Sequence, residues 1–76
     1  MRFNYSKLLG RMKECGYTQE KMAQAIGISV GTMSQKLNNK AYFYHPEMQK
    51  ICELLSITGA DVYTIFFTLE VEKAST

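Results

Sequence analysis

From Thr18 to Lys40 the chain starts a helix twice and stops it twice, and this segment constrains the fold more than any other. Thr18 is a good N-cap, Glu20 falls in the electropositive first turn, and Met22, Ala23 and Ile26 form a short apolar stripe closed by Gly27. Ser29 offers a second N-cap. Met33 and Leu37 then form an i, i+4 apolar pair that ends in the turn-forming Asn38-Asn39. Glycine suits the left-handed conformation that ends a helix and reverses the chain. Ala23 is small enough for a second helix to pack closely on the first, and Ile28 and Met33 are placed to fill the angle between them. Met22, Ala23, Ile26, Ile28 and Met33 therefore read as core.

The same punctuation extends in both directions. Tyr5, Leu8, Leu9, Met12 and Cys15 recur at helical spacing before Gly16. Beyond a connector at residues 40 to 45, Pro46 fits only the first turn of a helix. Met48, Ile51, Cys52 and Leu55 mark that helix, whose start has no Ser, Thr, Asp or Asn to cap it. Thr58, with Asp61 three residues later, opens another that carries Val62, Ile65 and Phe66. The expectation is an all-α fold of five short helices over residues 1 to 67. None is long enough to be stable alone, so packing must hold them. From Phe67 to Glu72 apolar and polar residues alternate, which predicts a short strand in a tail at residues 68 to 76. An extended fifth helix that includes Leu69 is the alternative. Lys73 to Thr76 are expected to fray.

A chain of 76 residues with 46% hydrophobic content is one folded domain. No apolar run approaches the roughly 18 to 20 residues that cross a bilayer, and the first residues lack the apolar stretch of a signal peptide, which points to the cytoplasm. With one His and no C-x-x-C pair, neither a metal site nor any other cofactor is expected. Cys15 and Cys52 read as buried reduced thiols. No nucleophile with a base, glycine-rich phosphate loop or paired carboxylates can be assembled, so no enzyme and no small-molecule substrate is expected. Charge is divided unevenly. Residues 1 to 40 carry Arg2, Lys7, Arg11, Lys13, Lys21, Lys36 and Lys40 against Glu14 and Glu20, while acids prevail beyond. Such a split suits a polyanion on one face. Arg11, Lys13 and Lys21 read as solvent-facing charges, Phe43 as core and His45 as structural, with Tyr42 and Tyr44 able to flank a nucleic-acid backbone.

Thr18, Gln19, Ala23, Gly27, Ile28 and Ser29 spell the pattern T-Q-x-x-x-A-x-x-x-G-I-S, which resembles the helix-turn-helix domain of the lambda-type repressor and Cro superfamily. The Leu37-Asn38-Asn39-Lys40 and Phe66-Phe67 segments look closest to a short prophage-encoded family of that kind. The resemblance implies a transcriptional regulator that binds double-stranded operator DNA, with the start of the third helix in the major groove. Val30, Gly31, Ser34 and Gln35 match the base-reading positions, and Gln35 points most directly away from the core. Val30 is equally consistent with partial burial. Gly31 is consistent either with close backbone approach to DNA or with simple tolerance of a poor helix former. Gln19, Ser29, Thr32, Asn38, Asn39 and Lys40 are the candidate phosphate contacts. Lys36 and Leu37 depart from the pattern, which has an apolar residue and an acid there, so the end of the third helix is expected to be rotated. A homodimer on a palindromic site, paired through the tail, would place half-sites about 34 Å apart. The alternative is a protein-interaction module, an anti-repressor or toxin-neutralising partner, built on the same scaffold.

Overall fold

The computed structural model describes residues 2–71, in which five helices follow one another: α1 (Ser6–Glu14), α2 (Gln19–Ile26), α3 (Val30–Leu37), α4 (His45–Leu55) and α5 (Gly59–Phe66). The fold is all-α, as expected. Thr18 Oγ1 accepts the Lys21 amide at 3.1 Å, and Ser29 Oγ accepts the Thr32 amide at 3.1 Å, so both expected N-caps form. Thr58 opens α5 without a side-chain cap; Asp61 N–H donates to its main-chain oxygen instead, at 2.9 Å. At the uncapped start of α4 the Glu47 carboxylate reaches back to the Tyr44 amide at 2.8 Å, and Pro46 sits in the first turn.

Four helices end in one way. The residue after the helix, or one beyond, takes positive φ (Gly16 +80°, Gly27 +81°, Asn39 +63°, Ser56 +55°), and the next amide closes onto the carbonyl five residues back. The closing bonds are Tyr17 N–H to Met12 O, Ile28 N–H to Ala23 O, Lys40 N–H to Gln35 O and Ile57 N–H to Cys52 O, all 2.8 to 2.9 Å.

These turns fold α2 onto α3 and α4, and α1 onto α5. Leu8, Met12, Met22, Ala23, Met33, Ile51, Leu55 and Phe66 are buried at the centre. Phe43 is buried too and anchors the connector, while Tyr42 and Tyr44 are exposed. Its ring lies between Tyr5 and Phe66 at centroid separations of 5.4 and 5.8 Å, both edge-to-face. Ile26 and Ile28 are half-buried against this core.

Several expectations need correction. Cys15 is exposed and Cys52 half-buried, because Cys15 lies just past the end of α1, beyond its inward face. Arg11 is not a free surface charge: Nε and Nη2 donate to the Leu55 and Ser56 carbonyls, each at 3.2 Å, and so satisfy the C-terminal end of α4. The tail forms neither a strand among the described residues nor an extension of α5. Phe3 and Leu69 make an isolated antiparallel bridge, held by Asn4 N–H to Thr68 O at 2.6 Å and Glu70 N–H to Arg2 O at 2.9 Å. The expected strand at Glu72 and the fraying of residues 73 to 76 lie outside the described residues.

Candidate nucleic-acid interface

The turn Gly27-Ile28-Ser29 fixes α3 against α2, and α3 presents two different faces. Met33 and Lys36 are buried, whereas Leu37 is only half-buried, so the inward stripe is turned toward Lys36 relative to the expected Met33–Leu37 line. The lysine is accommodated by a complete set of partners. Its Nζ meets Glu47 Oε1 at 2.5 Å and the Tyr42 carbonyl at 3.1 Å, and lies 4.2 Å from the centre of the Tyr44 ring. Glu47 thus serves α3 and the start of α4 together.

The outward face carries Gly31, Gln35 and Asn38, all exposed, with Val30 half exposed at the tip. Val30 is therefore available, and the partial-burial alternative describes its other half. A Cβ on Gly31 would meet nothing nearer than Ser29 Oγ at 3.9 Å, so packing does not demand glycine there. Ser34 is half-buried, and Asn38 Nδ2 folds back to its carbonyl at 2.8 Å and its hydroxyl at 3.2 Å. Ser29 Oγ also donates to Thr32 Oγ1 at 2.9 Å, so these two hydroxyls are already partnered with each other. Gln19 is exposed at the first residue of α2, and Lys40 is exposed beyond α3.

Asn39 does not join this surface. Its Oδ1 accepts the Phe3 amide at 2.7 Å and its Nδ2 donates to the Phe3 carbonyl at 2.9 Å, so both polar atoms face inward and the expected phosphate contact is replaced by a tie to the N-terminal segment.

The electrostatics follow from these pairings. Arg2 is paired with Glu70 at 3.1 Å, Arg11 caps α4 and Lys36 is buried, which leaves Lys7, Lys13, Lys21 and Lys40 as the basic side chains of the first half engaged in neither an ion pair nor a cap among the described residues. Beside α3 a shallow recess of about 250 Å³ is lined by Glu20, Ala23, Gln24, Ile28 and Val30. Sequence reasoning missed a second, apolar groove of about 330 Å³ between α4 and α5. His45, Met48, Gln49, Cys52, Val62 and Phe67 line it. Helical spacing marks Met48, Cys52 and Val62 only as apolar positions of their helices, and all three are half-buried against the core. Among the described residues, no His, Cys, Asp and Glu cluster could hold a metal ion. No helix there is long and apolar enough to cross a membrane.

The family model described as a protein of unknown function, DUF739, matches residues 1–69. The chain belongs to this family. Among curated proteins nothing matches the DUF739 chain. Among solved structures it is similar to the modulator of repression (MOR) of the temperate bacteriophage TP901-1 from Lactococcus lactis, determined in solution. The two are 36% identical with a TM-score of 0.75, over 95% of this chain and 97% of the other. A phage regulatory relationship, expected from the sequence, agrees with this neighbour.

Proposed function

We propose that this chain is a non-enzymatic, phage-type regulator of repression that works in the cytoplasm by seating α3 in the major groove of double-stranded operator DNA. The observation that carries this reading is the outward face of α3. Gly31, Gln35 and Asn38 are exposed on a helix whose other side is locked to the core by Met33 and Lys36. A helix-turn-helix uses α3 in this way, with its first residues against base edges. In this reading Gln35 pairs with adenine, Ser34 with a neighbouring base and Val30 with a thymine methyl, while Gly31 lets the backbone approach. Gln19 with the amides at the start of α2, the Ser29 and Thr32 hydroxyls, Asn38 and Lys40 hold phosphates. Two copies would occupy a palindrome.

The test is titration against phage operator fragments at two salt concentrations. Gln35→Ala should weaken binding to the operator about 10- to 100-fold and blunt discrimination between operator and random DNA. Lys40→Ala should weaken binding to both equally. Absence of binding at low salt would sink the proposal.

A second reading, docking onto a protein of the repression switch, is favoured by one feature. Val30 is half exposed beside Glu20, in a recess with little positive charge. The neighbour's description as a modulator of repression is compatible with it. Regulatory activity that survives Gln35→Ala and Lys40→Ala but is lost in Val30→Ser would select this reading over DNA.

A further inference from the structure

We infer that Asn39 is a positioning residue that couples the bridged segments, residues 2–4 and 68–70, to the end of α3, so that they are held or released together. This inference stands whichever partner α3 meets.

In an antiparallel pair, the residues opposite one another at a site without mutual hydrogen bonds turn their N–H and C=O groups outward. Phe3 and Leu69 are such a pair, because the bonds run between the flanking residues, Asn4 to Thr68 and Glu70 to Arg2. The outward N–H and C=O of Phe3 are both taken by the Asn39 side chain, at 2.7 and 2.9 Å. A primary carboxamide presents its oxygen and one N–H on the same side, so it meets both groups of Phe3 as the N–H and C=O of one residue in a third strand would. The backbone of Asn39 ends α3 at φ +63°, followed by the Lys40 amide closing onto Gln35 O. Tail, N-terminal segment, Asn39 and α3 therefore form an unbroken series of hydrogen bonds, reinforced at its outer end by Arg2 and Glu70.

Asparagine meets two demands here. It tolerates positive φ better than most residues, and its side chain is short enough to reach the adjacent backbone. Glycine would meet the first demand alone, so Asn39→Gly removes the tie and keeps the turn.

Amide exchange on the full chain tests the coupling from both ends. Glu70→Pro deletes the amide that donates to Arg2 O, and should speed exchange at Lys40 about fivefold or more. Asn39→Gly should do the same at Asn4, whose amide donates to Thr68 O. Ile51, in the centre of α4, should be unchanged in both. Effects confined to the mutated segment would overturn the inference, and so would an equal rise at Ile51, which reports general loosening. Loss of DNA binding plays no part in either outcome, so the test is independent of the functional proposal.

Discussion

Lys36 shows how a single side chain can change what a surface is able to do. A lysine buried to 3% exposure is tolerated because Glu47, the Tyr42 carbonyl and the Tyr44 ring surround its ammonium. Removing one partner from such a pair costs far more than replacing both charges together by uncharged groups of similar size. Glu47→Ala should destabilise the fold by about 3 kcal/mol in urea unfolding, whereas Lys36→Met combined with Glu47→Gln, which removes both charges and keeps an acceptor for the Tyr44 amide, should change it by less than about 1 kcal/mol. In the sequence Lys36 was visible only as a departure from a motif. Nothing local identifies Glu47 as its partner, since the pairing depends on the connector folding α4 back. Alkaline stability is also set at this scale. Burial raises the Cys52 thiol above its ordinary 9.0 and the Tyr5 phenol above 10.0, so the native state favours the neutral forms. Their contribution is complete below those values and is lost as pH rises through the higher native ones. The unfolding midpoint should be flat with respect to these groups at neutral pH and fall from about pH 9 upward.

At the scale of elements, all five helices were legible, but the residue that turns the chain was legible only where it is glycine or asparagine. Gly16 and Gly27 announce their turns, and Asn39 is the next best residue for positive φ. Ser56 gives no such signal, yet it takes φ +55° between α4 and α5. Ser56→Gly should therefore raise stability by about 1 kcal/mol, read as a higher thermal midpoint. Arg11→Ala should lower it by about 1 kcal/mol by exposing the last carbonyls of α4. Periodicity placed Arg11 on the polar side of α1 but could not show that another helix terminates against it. Gly31 separates scaffold from function. Gly31→Ala should strengthen α3 by up to about 1 kcal/mol, since a methyl there meets only ordinary contact. If close approach to DNA is its role, the same variant will bind operator less well despite melting higher.

For the whole molecule, the uneven charge was legible but its disposition was not. Arg2 and Glu70 tie the two ends together, so part of the apparent basic excess is spent internally. With Lys7, Lys13, Lys21 and Lys40 remaining, log affinity for DNA should fall with log salt at a slope no steeper than about −4 per protomer. A much steeper slope would mean that further cations, Arg2, Arg11, Lys36 or Lys50, reach phosphates on binding. The order of helices was legible because each apolar stripe is short and interrupted. The pairing of the tail with residues 2–4 was not, because alternation predicts an extended segment without naming its neighbour.

The two-faced character of α3 has a consequence for how such a protein could diversify. Met33 and Lys36 secure the helix while Gly31 and Gln35 point outward, away from that grip. Anchorage and message are written on different letters. A lineage could exchange the residues at positions 31 and 35 to address a new target while its fold stays intact, one vocabulary replacing another on an unchanged grammar.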